Sequence, residues 1–417
     1  MAKDYICSLD IGSSKVAACC ALIRGNRIED LYLESLPAKG VTNGSIVDSI
    51  ELLDVVRRLI ALLKESSGVN IKTLTAGFSG QDIVTRHSHG VIPLAERGNK
   101  VIGSSDIEKV NEQAFILGSS LDEEVLHRIP LRYSIDAKGG IVNPAGLYGH
   151  KLELDLYMVC ARLSSVQTLA HCINQAGYEP EDIYFSGLAS KDVVFGSGLR
   201  KGTDIICDIG KDFCELMFFE DGGMKNISIL PIGGAQLTQV IADSLDVPLE
   251  FAEELKISYG TIGDFHQIRD DQEVLVRSES GYKPIKQKLL CEILSSKAKV
   301  MCQSIKESVA SITDLSTVNN FILLGRTIQH EGFLELLEEM LGISVESGRV
   351  QDPRIPVPAG KSELLSGRKC LPFVTSLGLV CMKLDSLAGR TGPAARPPSN
   401  LFLKAVSKAK ELYQEYF

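Results

Sequence analysis

The residues best suited to chemistry form one short turn near the start of the chain. A first apolar run, typical of a buried strand, ends at the carboxylate of Asp10. The next residues include Gly12, the hydroxyls of Ser13 and Ser14, and the ammonium of Lys15, before a second apolar run leads back. Backbone N–H groups at such a turn bind anions, a lysine adds charge for phosphate, and an acid suits Mg²⁺ held through water. The turn therefore predicts a triphosphate with its metal, although such a turn in isolation more commonly has no ligand.

The same unit of strand, acid and turn recurs in the second half of the chain. Asp208 ends another apolar run, and Gly210 follows after one residue. A repeated unit indicates a duplicated α/β fold with a ligand between its halves, in which Asp10 and Asp208 flank one metal ion. A third element is a buried strand that ends at Gly325, just before Arg326 and a helical stretch. A flat base would lie on the backbone there.

These three elements, in this order, resemble the actin/Hsp70/sugar-kinase ATPase superfamily and, within it, the FtsA family of bacterial actin-like cell division proteins. The resemblance covers essentially the whole chain. Its most specific segments are 143–147 and 185–190, which the wider superfamily does not share. It implies an actin-like (ribonuclease H-like) fold of two lobes around a nucleotide cleft, with an inserted FtsA-type, SHS2-like subdomain. It also implies ATP and Mg²⁺ as the ligands of the cleft.

The resemblance further implies an order of segments along the chain. The two lobes share one plan, and each is interrupted by a smaller subdomain. The implied segments are first-lobe core at 1–81 and 162–200, the inserted subdomain at 82–161, second-lobe core at 201–233 and 318–369, the small subdomain of the second lobe at 234–317, a closing helix of the first lobe at 370–385, a flexible linker at 386–398 and an amphipathic helix at 399–417.

The resemblance assigns more residues to the nucleotide. Gly233 and Gly234 precede a helix, where glycine lets the backbone approach a phosphate. Glu253 and Lys256 lie one turn apart on a predicted helix, and in the superfamily such a pair reaches the ribose and the base. Without the resemblance, an exposed ion pair of little energetic value is the preferred interpretation.

Several positions depart from the family pattern. Lys211 and Asp212 stand where FtsA-like proteins have a Gly-rich, Thr-containing tip, so Asp212 adds a repelling charge that Lys211 either compensates or pairs with. Arg326 replaces a second glycine, where its guanidinium would stack on a base or block it. Gln236 stands near where family members often have an acid. We therefore expect ATP–Mg²⁺ binding weaker than in a typical family member, with weak or absent hydrolysis and no dedicated catalytic base.

Apolar spacing predicts the helices that support these turns. Residues 49–67 have an amphipathic pattern, a second helix is expected to open with Ser105 as its N-cap, and an apolar helix at 372–383 should close the first lobe. The face of the first helix predicted to be buried contains Ile50, Leu53, Val56, Ile60 and Leu63.

Composition limits the class of protein. The 417 residues are 44% hydrophobic and 23% charged, which is typical of a globular chain of two ordinary domains. A net charge of −9 disfavours nucleic acid as a partner. The eleven cysteines are scattered without a Cys-x-x-Cys pair, so we expect buried, reduced thiols in the cytosol. We expect neither a signal peptide nor an apolar run of transmembrane length.

The end of the chain has the pattern of a tethered amphipathic helix. The segment 386–398 is rich in small residues, glycine and proline, which is typical of a flexible linker. In the predicted helix at 399–417, apolar and aromatic residues fall on one face and lysines on the other. This pattern suits a membrane surface, and docking on the protein's own body or on a partner is the alternative. Because a single helix of weak positive charge binds marginally, polymerisation would strengthen attachment by multivalency.

Three functions fit these features. The resemblance implies an adaptor that tethers FtsZ polymers (the Z ring) to the cytoplasmic face of the bacterial inner membrane at the septum, forms filaments with itself and helps assemble the divisome. The small subdomain would bind the C-terminal peptide of FtsZ, with Lys297 and Lys299 as candidate contacts or as solvated surface lysines, and the inserted subdomain would recruit other divisome proteins. The alternatives are a pilus-type actin-like assembly adaptor and a small-molecule kinase of the same superfamily. A kinase needs a base and a substrate cleft but no amphipathic tail, so the tail favours the adaptor.

Overall fold

The chain forms two lobes, each built on a five-stranded sheet, and a smaller sheet is inserted between strands of the first. The computed structural model describes residues 5–95, 98–196, 200–265, 267–278, 281–356, 363 and 365–389. The predicted tail helix at 399–417 and the linker from residue 390 onward lie outside the described residues.

Strands and helices alternate along the described chain. The strands are β1 (Tyr5–Ile11), β2 (Lys15–Arg24), β3 (Arg27–Pro37), β4 (Val41–Thr42), β5 (Ser45–Ile46), β6 (Thr73–Phe78), β7 (Ile83–Pro93), β8 (Lys100–Val101), β9 (Glu123–Ile135), β10 (Lys138–Ile141), β11 (Tyr148–Gly149), β12 (Lys151–Arg162), β13 (Glu179–Phe185), β14 (Thr203–Ile209), β15 (Cys214–Glu220), β16 (Gly223–Leu230), β17 (Glu273–Ser278), β18 (Gly281–Lys286), β19 (Val318–Leu324) and β20 (Glu346–Ser347). The α-helices are α1 (Ser49–Ser67), α2 (Ser104–Gly118), α3 (Leu163–Gln175), α4 (Ser186–Phe195), α5 (Gly234–Leu245), α6 (Leu249–Tyr259), α7 (Gln287–Ala310), α8 (Phe333–Leu341) and α9 (Val374–Leu387). Short 3₁₀ turns occupy Leu315–Thr317, Thr327–Gln329 and Gly367–Phe373.

The two large sheets have the same strand order. It is β3-β2-β1-β6-β13 in the first lobe and β16-β15-β14-β19-β20 in the second. In each sheet the central strand pairs antiparallel with its hairpin partner on one side and parallel with a later strand on the other. Asp10 and Asp208 occupy equivalent positions, one residue before the ends of β1 and β14. The predicted duplicated α/β fold is therefore confirmed.

Helices cover the first sheet and explain the sequence of its strands. Helix α1 packs against β2, β3 and α3, whereas α9 packs against β1, β2, β6 and α4. Strands β1 and β2 are consequently buried along nearly their whole length. Strands covered on both faces have continuous apolar runs rather than alternating ones, which is the pattern that frames the first turn.

Helix α1 has the predicted bounds but a different buried face. Asp48 caps it by accepting the N–H groups of Ile50 and Glu51 at 2.9 and 3.0 Å, and Gly68 ends it in the left-handed conformation at φ 68°. The predicted face is wrong at Ile50, which is 77% exposed, and Leu53 is only partly buried. The helix lies along the sheet and buries a wider, rotated stripe. Its buried residues are Leu52, Val55, Val56, Leu59, Ile60 and Leu63.

Two other predicted helix starts are wrong by a few residues. Helix α2 begins directly after Gly103, so Ser105 lies inside the first turn instead of capping it. The Asp106 carboxylate supplies the cap contact by accepting the Gly103 N–H at 3.1 Å. Helix α9 begins two residues after Pro372, which lies in the preceding 3₁₀ turn, because proline has no N–H to donate within a helix.

The inserted sheet, of order β10-β9-β12-β7 with α2 packed on it, is joined to both lobes. Nε2 of His127 accepts the Phe185 N–H at 2.9 Å, and the Tyr157 hydroxyl accepts the Ile227 N–H of β16 at 3.1 Å. Burial lowers the pKa of His127 to about 3, so the ring stays neutral and keeps an acceptor nitrogen at neutral pH. The insertion is thus in direct contact with both large sheets.

Two predictions from composition can be compared with the described residues. All eleven cysteines are buried and free, as predicted. One described helical stretch, Gly367–Leu387, has the length and composition of a membrane span, contrary to the prediction that no apolar run reaches that length. In its most apolar window 67% of the residues are buried inside the protein, and α9 packs against three strands of the first sheet. Packing in the core accounts for the apolar character of this helix.

Candidate functional site

The ends of β1 and β14 meet at one cleft between the lobes. Asp10 and Asp208 both line it, together with the turns that follow them. The two turns are built alike, because the N–H of each turn's glycine donates to the carbonyl three residues later, at 2.9 Å in the first and 3.0 Å in the second. Including its open mouth, the cleft has a volume of about 820 Å³. The structure therefore brings together the two acids that the sequence pattern paired.

Most of the residues that the sequence assigned to a ligand border this cleft or a second cavity beside it. Ten of them line the cleft, namely Asp10, Gly12, Ser13, Ser14, Lys15, Asp208, Gly210, Lys211, Gly325 and Arg326. Gly234, Glu253 and Lys256 line the second cavity, which Ser14, Lys211 and Arg326 also border. Gly233 lines neither.

The charges at the first turn are partly neutralised within the protein. Nζ of Lys15 lies 2.9 Å from Oδ2 of Asp10, so the lysine expected to face a phosphate is paired with the acid of its own hairpin. Across the cleft, burial and then the negative charge of Asp10 raise the pKa of Asp208 to about 6. A cation between the two acids would relieve this repulsion and favour loss of the proton from Asp208.

Sequence reasoning missed a third acid of the cleft, Glu215. This residue lies opposite Asp208 in the pairing of β14 with β15 and is 3% exposed. Its Oε1 accepts the hydroxyl of Ser79 at 2.6 Å, which links the two lobes. Burial raises the pKa of Glu215 to about 8, although the hydrogen bond from Ser79 acts to lower it. The carboxyl group is therefore mostly protonated at neutral pH. A lone acid inside an otherwise apolar run was the signal that could have identified it.

A buried hydroxyl in the wall of the cleft has no partner. Oγ of Ser186, at the start of α4, is buried and makes no hydrogen bond among the described residues, yet Ser186 lines the cleft. A Cβ at Gly77 would lie 2.5 Å from this oxygen, so the glycine leaves room for it. An unsatisfied buried hydroxyl carries a desolvation cost that a ligand atom or its hydration water would offset.

A loop of the first lobe covers the tip of the second hairpin. The Asp212 carboxylate accepts the Asn43 N–H at 2.6 Å, and the Ser13 hydroxyl accepts the Gly44 N–H at 3.1 Å. Asp212 does not line the cleft and forms no ion pair with Lys211 among the described residues. Asp212 therefore bridges the two lobes instead of pairing with Lys211, and its repulsion of a phosphate stays a prediction.

The glycines around the second turn serve close contacts of the protein with itself. The Gly234 N–H donates to the Gly210 carbonyl at 3.0 Å, and a Cβ at Gly233 would lie 2.4 Å from the Lys211 carbonyl oxygen. The start of α5 is thus held against the hairpin tip. Gly325 has φ +91°, and a Cβ there would lie 2.2 Å from the Ile209 carbonyl oxygen. Only glycine fits this strand end without strain.

The second cavity contains a buried ammonium. Nζ of Lys256 lies 2.6 Å from Oε2 of Glu253 and donates to the Thr238 hydroxyl at 2.7 Å and to the Gly234 carbonyl at 3.1 Å. The Lys256 side chain is 4% exposed and that of Glu253 is 47% exposed, so the interpretation as an exposed ion pair is wrong for the lysine and holds only for the acid. Burial lowers the pKa of Lys256, and the nearby cations Lys211 and Arg326 lower it further. The negative charge of Glu253 raises the pKa but does not outweigh these effects.

Two family models match this chain. "SHS2 domain inserted in FTSA" matches residues 80–160, and "Cell division protein FtsA" matches residues 205–367. Together they cover more than half of the sequence.

Curated relatives with the same description span nearly the same length. FtsA of Borreliella burgdorferi is 26% identical over 388 residues, with 92% of each chain covered. FtsA of Pseudomonas aeruginosa is 26% identical over 349 residues, with 82% of each chain covered. FtsA of Escherichia coli K12 is 22% identical over 358 residues, with 83% of this chain and 84% of the relative covered.

Solved structures show the same fold at low sequence identity. A chain of the PilM–PilN type IV pilus biogenesis complex matches with a TM-score of 0.62 and 15% identity, over 91% of this chain and 98% of that one. MreB5 of Spiroplasma citri bound to ADP matches with a TM-score of 0.55 and 10% identity, over 93% of this chain and 99% of that one. The actin-like architecture is therefore shown. Within it, the two family models and the curated relatives all indicate the same family. The chain belongs to the FtsA family of cell division proteins.

Proposed function

We propose that the cleft between the lobes binds ATP with Mg²⁺. The observation that carries this proposal is the convergence of Asp10 and Asp208 from equivalent hairpins of two lobes on one cleft. No described cluster of three or more acids, histidines or cysteines is close enough to hold a metal by itself. Asp10 and Asp208 would therefore hold the ion through water and the phosphates of the ligand. Mg²⁺, when bound, would neutralise phosphate charge.

The remaining residues of the cleft fit this ligand. The N–H groups and hydroxyls of the first turn would face phosphate oxygens. The hydroxyl of Ser186 would form a hydrogen bond with a water molecule bound to Mg²⁺. Hydrolysis is proposed to be weak or absent, because Glu215 is mostly protonated at neutral pH and a protonated carboxyl group takes no proton from water.

Calorimetry of the full chain with ATP, with and without Mg²⁺, tests the proposal. We expect binding that requires Mg²⁺ and that weakens at least about tenfold in Asp208→Asn, which loses a charged oxygen at the metal. Asp246→Asn, at an exposed position after α5, is the matched control and should bind as the native chain does. Undetectable ATP binding by the native chain, or equal binding by both variants, would exclude this role for the cleft.

We propose that the protein tethers FtsZ polymers to the cytoplasmic face of the inner membrane at the septum. Membership of the FtsA family supports this role, as does the amphipathic pattern predicted at 399–417. Pelleting with liposomes of anionic and neutral composition, for the full chain and a chain ending at residue 398, tests the membrane step. We expect lipid-dependent pelleting of the full chain only, and equal pelleting of both chains would refute it.

We propose that the small subdomain at 234–317 binds the acidic and apolar C-terminal peptide of FtsZ. Lys297 is half-buried and Lys299 is exposed on α7, so both remain candidate contacts. Fluorescence anisotropy with a labelled FtsZ tail peptide should show binding that weakens with salt. The same measurement distinguishes the proposal from a pilus-type adaptor, whose fold the chain shares, because such an adaptor would not bind this peptide.

We also propose that the protein forms filaments with itself and that the inserted subdomain, 82–161, recruits other divisome proteins. The SHS2 model matches this part of the chain, and the insertion is hydrogen-bonded to both lobes, which would couple its position to the state of the cleft. Sedimentation and negative-stain microscopy on lipid monolayers with ATP should show filaments. Their loss on removal of ATP would link assembly to the cleft.

A further inference from the structure

The two lobes are joined firmly along α4 and α9. The N–H of Gln351, in the segment after β20, donates to the Val193 carbonyl of α4 at 2.7 Å. Arg354 pairs with Asp352 at 2.6 Å and with Asp385 of α9 at 2.5 Å, and the Asp352 side chain is fully buried. None of these five residues lines the cleft. Separating buried opposite charges is costly, so this joint is the last contact between the lobes to open.

Two smaller contacts join the lobes at the second hairpin. The Asp212 carboxylate accepts the Asn43 N–H at 2.6 Å, and Oε1 of Glu215 accepts the Ser79 hydroxyl at 2.6 Å. Neither contact pairs opposite charges, and Asn43 is exposed while Asp212 is half-buried. A hydrogen bond of this kind contributes much less than a buried ion pair costs to break. These contacts therefore open before the joint along α4 does.

The two first-lobe loops that make these contacts also touch each other and both hairpin tips. A Cβ at Gly44 would lie 2.6 Å from Cα of Gly80 and 3.2 Å from Cε1 of Phe213. The Gly44 N–H donates to the Ser13 hydroxyl at 3.1 Å. Ser13, Gly44 and Phe213 all line the cleft. A ligand between the two hairpins is therefore enclosed by both lobes, and its release requires the second hairpin to separate from these loops.

We propose that Asn43, Ser79, Asp212 and Glu215 form a latch that holds the lobes closed over a bound nucleotide and sets the rate of its release. This inference rests on the proposed binding of nucleotide in the cleft. Asp212 and Glu215 act as positioning residues, because each contacts the opposite lobe. Asp212 is one of the positions that depart from the family pattern, so its half of the latch depends on a side chain particular to this sequence.

The latch gives the loss of the Asp212 carboxylate a different consequence from that of charge repulsion. If Asp212 only repels a phosphate, its removal tightens nucleotide binding and slows release. If Asp212 closes the latch, its removal speeds release, because one of the hydrogen bonds that must break before the lobes separate is already absent. The two roles therefore change the release rate in opposite directions.

Stopped-flow release of a fluorescent ADP analogue from the full chain with Mg²⁺ tests the latch. We expect release to be about fivefold faster in Asp212→Ala, which is the effect of losing one hydrogen bond of average strength. Asp212→Asn keeps an oxygen that can accept the Asn43 N–H, so it should restore release to within about twofold of the native rate. Asp314→Ala is the matched control, because it removes an exposed carboxylate that accepts an N–H within its own lobe, from Ser316 at 2.9 Å.

Hydrogen exchange of the full chain without nucleotide tests the latch independently of the ligand. Ser79→Ala removes one latch contact but leaves the hydrogen bond between Asn43 and Asp212 intact. If the two contacts open together as the lobes separate, this variant should also speed amide exchange at residues 40–47, by about fivefold. Asp314→Ala should leave exchange at 40–47 unchanged.

The outcomes separate this inference from the proposed function. Release at the native rate from Asp212→Ala, or equal acceleration by Asp212→Ala and Asp314→Ala, would overturn the latch while nucleotide binding stands. Tighter binding and slower release in both Asp212→Ala and Asp212→Asn would show that this acid acts by repulsion, which also overturns the latch. If the native chain binds no nucleotide, the proposed function fails, and unchanged exchange at 40–47 in Ser79→Ala would then exclude the latch as well.

Discussion

Replacing Glu215 by glutamine should change how the stability of the protein depends on pH. Burial raises the pKa of this acid from its ordinary 4.5 to about 8. Between these values the unfolded chain has lost the proton and the folded chain has kept it, so unfolding becomes easier as the pH rises. Each pH unit in that window costs about 1.4 kcal/mol, so the folded native chain loses about 3 kcal/mol of unfolding free energy between pH 4.5 and pH 7. Glutamine does not titrate and escapes this loss.

The measurement is urea unfolding of the native chain and E215Q at pH 5, 6, 7 and 8, without nucleotide or Mg²⁺. Glutamine keeps the carbonyl oxygen that accepts the Ser79 hydroxyl, so any cost of its amide is an offset that does not vary with pH. The difference in unfolding free energy should move in favour of E215Q by about 2 to 3 kcal/mol from pH 5 to pH 7. Glu220→Gln is the control on the same strand, because Glu220 is exposed and forms its ion pair with Lys225, the one such pair it makes with a described residue. A difference that stays constant over this range would show that Glu215 is ionised in the folded protein and would refute the assignment.

Three further perturbations have expected outcomes. Gly325→Ala should destabilise the chain by at least about 2 kcal/mol, because its Cβ would meet the Ile209 carbonyl and φ is +91°. Arg354→Met should cost about 3 to 5 kcal/mol, since it leaves the fully buried carboxylate of Asp352 without its guanidinium partner at 2.6 Å. Binding of Mg²⁺-nucleotide should tighten as the pH rises from 6 to 8. The pKa values of Asp208 and Glu215 are both raised, so at the lower pH protons on these acids compete with the cation.

Controls for these perturbations are present in the chain. Gly342 has a φ of +70°, and a Cβ there would meet no atom within 4 Å. Gly342→Ala therefore measures backbone strain without a steric clash and should lower the unfolding free energy by about 1 kcal/mol. Arg24→Met breaks an exposed pair with Glu29 and should leave the urea midpoint unchanged. Equal losses for Gly325→Ala and Gly342→Ala, or for Arg354→Met and Arg24→Met, would contradict the packing described. For the third perturbation, a nucleotide affinity independent of pH would show that neither acid is protonated in the free cleft.

The parts of the fold that depend on local pattern are predicted well from the sequence. Asp10 and Asp208 stand out because each follows an apolar run and precedes a glycine turn, and their equivalence in the two sheets follows from that repeat. The bounds of α1 are predicted from the amphipathic pattern of residues 49–67, and the Asp48 cap and Gly68 stop seen in the structure are also local features. The buried face of α1 is not predicted correctly, because the exposure of Ile50 depends on where the sheet lies relative to the helix.

The parts of the site that depend on tertiary contact are not predictable from spacing. The Asp212 carboxylate accepts a hydrogen bond from the N–H of Asn43, which is far away in the sequence. Lys256 is buried because α5 packs on α6 and supplies Thr238 as a partner. Glu215 becomes part of the cleft only when the second lobe meets Ser79 of the first. In each case the environment of the side chain depends on a residue that is distant in the sequence, so the local pattern cannot predict it.

The shared role of Asp10 and Asp208 is tested most directly by crystals of the full chain grown with ADP and Mn²⁺ in place of Mg²⁺. Anomalous scattering locates Mn²⁺ without assumptions about the ligand. We expect one anomalous peak between the two carboxylates, each reaching it directly or through one water, with the diphosphate against the turns at Gly12 and Gly210. Nucleotide bound outside the cleft, or a metal peak that touches neither acid, would contradict a site shared by the two lobes.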